Sequence, residues 1–308
     1  MLKQGNCVKR ITAVSTGSLE AKSGESFLIR ALYVAPESDN DFLSLKVDRK
    51  TVGVYRIYGK SGNHLDRINI GYHHKNLMEF LQRRGINCSI PVAEGQSFTV
   101  SSAGTSPVVV IVYDAYEAGD IRADMPNGTD SKEYMFIQYM DSATSVLTTQ
   151  TVELDTSLSP PEFPDFPCGK SVPANTEIEI LGLVGSPSGT GASGSNYIGS
   201  TYVKLVKERE VLFDEDRNGL PFFYVFNDTM NDYSADFTLI APCVNVRHFT
   251  EIASLVNDAP LGDPLMFNPV LTFQSGEELL MYMSFLEVGS QDLGDKIDIA
   301  AIMNVKRS

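Results

Sequence analysis

Tryptophan is absent from the 308 residues, and histidine and cysteine occur four times each. Without tryptophan the chain lacks the side chain best suited to stacking on sugars. That weakens a carbohydrate-binding reading, although 13 tyrosines and 16 phenylalanines leave it open. The cysteines, Cys7, Cys88, Cys168 and Cys243, lie far apart with no CxxC pair. Neither a zinc ribbon nor a disulfide framework is expected from them; buried free thiols are. No apolar run approaches the roughly 20 residues of a membrane-spanning helix. The opening "MLKQGNCVKR" lacks the apolar segment of a secretory signal. A soluble globular protein made and kept in the cytosol is the expectation.

Motifs for catalysis are equally scarce. There is no GxSxG elbow, HExxH pair, phosphate-binding loop or GxGxxG fingerprint. The histidines are His64, His73, His74 and His248. A metal-dependent cupin needs two histidines one residue apart on a strand, with a carboxylate and a further histidine. Adjacent His73 and His74 point to opposite sides of a strand, or about 100° apart on a helix, so they chelate one ion poorly. A surface position at the entry to a helix suits them better. Glu277 and Glu278 are a carboxylate pair, but neighbours on a strand face opposite ways, and such pairs are common on solvated faces. No enzymatic activity, cofactor or metal ion is expected.

The formal net charge is −14, which argues against phosphate-backbone binding, because that depends on clustered Lys and Arg. No specific nucleic-acid binding is expected. Acid is concentrated near mid-chain, where Asp114, Glu117, Asp120, Asp124, Asp130 and Glu133 face only Arg122 and Lys132. The ends are basic: Lys3, Lys9 and Arg10 open the chain, and Lys306 and Arg307 close it. Solvated termini account for this pattern, as does contact with an anionic surface such as lipid head groups.

What is abundant is strand-forming sequence. "SFLIRALYV" (26–34), "VGVYRIY" (52–58), "QSFTV" (96–100) and "PVVVIVYDAY" (107–116) are rich in β-branched and aromatic residues. Further strands follow in "TEIEILGLV" (176–184), "TYVKLVKEREVLF", "LPFFYVF", "DFTLIAP" and "EELLMYMSFLEV". Two segments have helical spacing instead: "KNLMEFLQRRG" (75–85), ending at Gly85, and "RHFTEIASLVND" (247–258). The fold class is mainly β with one short helix in each half. "VGSPSGTGASGSNYIGS" (184–200) reads as an exposed loop. Residues 158–173, carrying Pro160, Pro161, Pro164, Pro167 and Pro173, read as a stiff linker between a domain of residues 1–157 and one of residues 174–308.

The two halves resemble each other. Phe27, Ile29, Ala31 and Tyr33 match Ile178, Ile180, Gly182 and Val184 at 178 − 27 = 151. "VDRKTVGV" (47–54) matches "FDEDRNGL" (213–220) at 213 − 47 = 166, setting Asp48 against Asp214 and Gly53 against Gly219. The helical pairs Leu77-Met78 and Phe80-Leu81 match Ile252-Ala253 and Leu255-Val256 at 252 − 77 = 175, and Gly95 matches Gly276 at 276 − 95 = 181. The offset grows in order along the chain, as expected if the second copy has longer loops.

Two tandem β-domains, each of about eight strands with a helix between an early and a late group, suit two-sheet jelly rolls. In this organisation the chain resembles the double jelly-roll major capsid proteins of tailless icosahedral viruses with an internal membrane, of the corticovirus and tectivirus kind, which include bacteriophages. The resemblance implies two tandem jelly-roll β-sandwiches and a homotrimer whose six rolls form a pseudo-hexameric block tiling the shell. It also implies a structural role in the virion, assembly in the host cytoplasm, and partners among neighbouring capsomers, minor capsid proteins and vertex proteins. Lys3, Lys9, Arg10, Lys306 and Arg307 would then face the internal lipid membrane. A two-domain β-sandwich carbohydrate-binding or adhesin module is the alternative.

One stretch suggests an ion. "FDEDRNG" places Asp214, Asp216 and Asn218 before Gly219, like the first half of a calcium loop, but the twelfth position is Val225 where a bidentate Glu belongs. Asn218-Gly219 is a strong hairpin signal, so a strand-connecting turn explains the motif without an ion. A weak calcium site completed by a neighbouring subunit is the other reading.

Overall fold

The computed structural model describes residues 1–12, 17–35, 41–57, 77–102, 107–142, 151–156, 163–168, 170–186, 198–213, 220–225, 238–239, 265–288 and 298–308. Among these residues the protein is mainly β, with antiparallel sheets and a single seven-residue α-helix. The helix expected over 247–258, all four histidines, Cys243 and "DEDRNG" (214–219) lie outside the described residues.

The first repeat contains β1 (Leu2–Thr12), β2 (Leu19–Glu20), β3 (Ser26–Ala35), β4 (Asp41–Val47), β5 (Lys50–Ile57), α1 (Leu77–Arg83), β6 (Ile90–Val92), β7 (Ser97–Ser102) and β8 (Val108–Tyr116). They form two four-stranded sheets, ordered β1-β8-β3-β6 and β2-β7-β4-β5. Strand 1 pairs with 8, 2 with 7, 3 with 6 and 4 with 5. The chain is thus a long antiparallel ribbon folded back on itself at the β4–β5 hairpin.

The second repeat contains β9 (Glu133–Ser142), β10 (Thr151–Asp155), β11 (Thr176–Ser186), β12 (Ile198–Lys207), β13 (Glu210–Phe213), β14 (Leu220–Val225), β15 (Thr238–Leu239), β16 (Leu265–Phe273), β17 (Leu279–Val288) and β18 (Asp298–Arg307). Its order β9-β18-β11-β16 reproduces β1-β8-β3-β6. The run β17-β12, with β13 and β14 on the far side of β12, reproduces β7-β4-β5. An isolated bridge between Ser171 and Glu278 stands where β2 pairs with β7, and β10 pairs with both β9 and β17.

Register makes the correspondence residue by residue. Phe27 and Ile29 pair with Val92 and Ile90; Ile178 and Ile180 pair with Phe273 and Leu271. These are the offsets 178 − 27 = 151 and 273 − 92 = 181. The hairpin offset is different from the one expected. Asp48 has φ 54° in the two-residue turn between β4 and β5, and its counterpart is Glu208, φ 57°, between β12 and β13. The match is therefore 208 − 48 = 160, and Asp214 is not the partner of Asp48. Both β13 and β14 run antiparallel to β12, so the chain reverses at Glu208-Arg209. Gly53 lies inside β5, where Val54 and Tyr55 beside it are buried, not at the turn.

Alternation produces the core. In β4 the residues Leu43, Leu45 and Val47 are fully buried, facing Phe98 and Val100 of β7 in register. Ile29 and Leu32 of β3 and Val109 and Ile111 of β8 supply the other sheet. Each such side chain contributes roughly 1.5–3 kcal/mol by leaving water. Met78 and Leu81 of α1 are fully buried as the helical spacing requires. Gly85 ends α1 with φ 80°: its N–H donates to Gln82 O at 2.9 Å and Ile86 N–H to Leu81 O at 2.9 Å, the paired bonds of a Schellman cap.

By compactness the chain divides into Met1–Ile137 with Asn304–Ser308, and Gln138–Met303. The division passes through β9 and β18. In the described part of 158–173, Phe166 and Val172 are buried; Phe166 packs on Phe273 with ring centroids 5.0 Å apart.

Candidate functional site

The expected membrane-facing residues all belong to the first compact unit. Lys3 is exposed on β1 and its Nζ donates to Gly24 O. Lys9 and Arg10 are exposed further along, in register with Ile111 and Val110. At roughly 3.3 Å per residue, six residues of strand separate Lys3 from Lys9 by about 20 Å. Lys306 is half-buried. Arg307 is exposed, and its guanidinium donates to Tyr134 Oη at 2.8 Å and lies 5.1 Å from that ring's centroid. Burial pushes the Tyr134 hydroxyl up, against the opposing pull of Arg307. Lys3 therefore stands apart from Lys9 and Arg10 along β1. Arg307 also acts as a packing residue.

The strand that carries three of these cations is nearly all exposed: in β1 only Ile11 is buried. Met1, Leu2 and Val8 are exposed at 78%, 52% and 64%. The strand is irregular as well as charged, with register shifts between Leu2 and Gln4 and between Gln4 and Cys7, and φ 52° at Asn6. Asp114 of β8 clamps the second irregularity, accepting from Asn6 N–H at 2.9 Å and from Arg30 Nε at 2.8 Å. Lysines and bulges are the usual devices that keep a sheet edge from pairing indiscriminately.

Four more of the mid-chain acids are similarly occupied. Glu133 accepts from Asn304 Nδ2 at 2.9 Å, and Asp124 pairs with Arg122. Glu117 and Asp120 flank the amino group of Met1. Between them Asn127, φ 65°, joins Asn87 O and Met135 N at 2.9 and 2.6 Å through its side chain. Among the described residues no group of three or more His, Cys, Asp or Glu is arranged to hold a metal ion. Cys88 and Cys168 are buried free thiols; burial pushes Cys88 up to about 12 and raises Cys168 well above the ordinary value. Cys7 departs from that expectation, being only half-buried.

The most elaborate polar construction went unrecognised in the sequence apart from its glycines. It is a corner, built once in each repeat, where the turn before β7 or β17 meets the β4–β5 or β12–β13 hairpin. In the first, Gly95 N–H donates to Ala21 O at 2.7 Å, Ala21 N–H to Gln96 O at 2.9 Å and Gln96 N–H to Ala93 O at 3.0 Å. In the second, Gly276 N–H donates to Val172 O at 2.9 Å, Val172 N–H to Glu277 O at 2.9 Å and Glu277 N–H to Gln274 O at 3.0 Å. Gly95 and Gly276 have φ 81° and 88°, values that favour glycine.

The hairpin tips dock in the same way. Asp48 N–H donates to Ser97 O at 2.8 Å while Asp48 Oδ1 accepts from Ser97 N–H at 3.0 Å. Glu208 N–H donates to Glu278 O at 3.1 Å while Glu208 Oε1 accepts from Glu278 N–H at 2.8 Å. The Glu277-Glu278 pair thus serves the corner. No known protein-family model matches the chain, and neither does any curated protein in sequence.

Proposed function

We propose that this chain is a structural subunit of a viral capsid: a major capsid protein of two tandem jelly rolls, associating as a homotrimer with pseudo-hexameric outline over an internal membrane. The observation that carries the reading is the repeated strand order. A jelly roll would pair strand 1 with 8, 2 with 7, 3 with 6 and 4 with 5, and bring 3 against 8 and 4 against 7. The first repeat has all of these pairings, and the matching sheet orders and corners of the second support a duplicated roll. Two rolls per chain and three chains per block provide six similar rolls around one axis, the geometry a hexagonal lattice needs.

In this reading the subunit acts by association, without turnover or a cofactor. Its partners are copies of itself, neighbouring capsomers, and minor and vertex proteins of the virion. The exposed cations Lys3, Lys9 and Arg10, with Lys306 and Arg307, offer attraction to anionic lipid of about 1 kcal/mol each near the surface.

Size-exclusion chromatography with light scattering tests the proposal. The expected mass is near three times the 33.8 kDa chain. A strict monomer at micromolar concentration overturns it, and monomers that bind glycans would point to the carbohydrate-binding alternative.

A further inference from the structure

The two corners share their backbone bonds but differ in the group that closes the turn. In the first, Ala93 N–H donates to Gln96 Oε1 at 2.9 Å. In the second, Gln274 N–H donates to Glu277 Oε2 at 2.7 Å. Glu277 stands 181 residues after Gln96, so one turn is closed by a neutral amide and the other by a carboxylate. The carboxylate has acquired its own cation: Lys207 Nζ lies 2.8 Å from Glu277 Oε2, where the first repeat has Val47.

Lys207 is well placed for this role. Its Nζ also donates to Thr272 O at 3.2 Å and lies 4.9 Å from the centroid of the Phe273 ring. It therefore ties β12, β16 and the 274–278 turn together. The other charged side chains hydrogen-bonded to or within the turn are acidic. Glu208 reaches the turn from the β12–β13 hairpin. Glu278, which begins the approach to β17, accepts from Ser171 Oγ at 3.0 Å. Glu177 of β11 accepts from Gln274 Nε2 at 2.8 Å. Lys207 is the cation that ion-pairs with Glu277.

We infer that the second corner is an acid-sensitive latch, held by the Glu277 carboxylate between Lys207 and the Gln274 N–H, and that the first corner, closed by Gln96, does not respond to acid at the matching position. Protonating Glu277 removes its charge, and with it the ion pair and the charge assistance to the backbone bond. Lys207 would then keep its bond to Thr272 O and its contact with the Phe273 ring.

The direction of the effect is defined. The hydrogen bond from Lys207, followed by that from Gln274 N–H, holds the Glu277 carboxyl below its ordinary value of 4.5, against a smaller opposing effect of burial. A group whose folded value is depressed contributes fully above its ordinary value and loses that contribution as pH falls through the folded one. The latch is closed near neutrality and is released in acid below 4.5. It does not depend on the capsid reading.

Hydrogen exchange on the full chain, corrected for intrinsic exchange, tests the latch near pH 7 and at a series of values falling below 4.5. Protection at Gln274 and Gly276 should fall about three- to tenfold relative to Ala93 and Gly95. Glu277→Gln copies the first corner and should abolish that difference while keeping protection at neutral pH. Lys207→Val, which copies Val47, should move the midpoint of the loss upward. Equal acid responses in the two corners of the parent protein would overturn the inference. So would an unchanged pH profile in Glu277→Gln, or an unmoved midpoint in Lys207→Val.

Discussion

β1 and β9 correspond in the two repeats, each beside the last strand of its own repeat, yet β1 ends its sheet whereas β9 also pairs with β10. In β1, "LKQGNCVKRIT", only Ile11 is buried. In β9, "EYMFIQYMDS", every residue from Met135 to Met140 is buried, on both faces of the strand. An equivalent place in the repeat does not by itself set burial. A position in the ribbon specifies which strand is the neighbour; side-chain character then specifies whether the faces are covered. β1 meets solvent with lysines, an arginine and bulges, which suit an edge, whereas β9 carries aromatic and aliphatic residues suited to an interior.

The largest expected effect breaks this contrast directly. Phe136→Ala in β9 should destabilise by about 3–5 kcal/mol, because a buried aromatic leaves a cavity. Val8→Ala in β1 should stay within about 0.5 kcal/mol. Denaturant unfolding of both variants measures the difference; similar losses would mean that β1 is covered in solution.

A second contrast lies between Ala31 of β3 and Gly182 of β11, which correspond at 182 − 31 = 151. A Cβ on Gly182 would come within 2.5 Å of Leu265 O and 2.8 Å of Met266 Sδ. Gly182→Ala therefore forces β16 outward and should cost about 1–3 kcal/mol. Ala31→Gly should cost only about 0.5–1 kcal/mol, from added freedom of the unfolded chain. Thermal unfolding of the pair reads the difference.

The smallest effect concerns the cations. Arg307→Ala should cost about 0.5–1 kcal/mol through the lost contact with Tyr134. The double change Lys9→Glu with Arg10→Glu should leave stability within about 0.5 kcal/mol, because both are exposed. It should nonetheless weaken sedimentation with anionic vesicles. Unchanged vesicle association would remove these two residues from the lipid-facing set.

Hydrophobic alternation made the strands legible: Ile178 and Ile180 are buried inside β11, as the pattern of "TEIEI" requires. Gly85 marked the end of α1, and the offsets 151 and 181 located real register partners. The hairpin of the second repeat was misplaced because Asn218-Gly219 is the stronger turn signal, while Glu208 gives little hint that it will adopt φ 57°. Its backbone is held by Glu278, 70 residues away, a contact that no local pattern expresses.

The same limit applied to the candidate site. Five basic residues near the two ends of the chain read as one surface, but a strand is long and its residues spread along it, so Lys3 and Lys9 stand well apart. By sequence Glu277 reads as half of a solvated carboxylate pair on a strand, and Gln96 as the first residue of the strand "QSFTV". Their shared role appears only when Ala93 and Gln274 are seen to donate to them from equivalent positions.

By itself, the sequence determined the β-rich class, the duplication and most of the core, because side-chain period and apolar character are properties of local stretches. Only the tertiary structure decided the sheet order, the true hairpin of the second repeat and the Lys207–Glu277 ion pair. Those features depend on residues far apart in the chain being brought within hydrogen-bond distance, which strand pairing does and local sequence does not record.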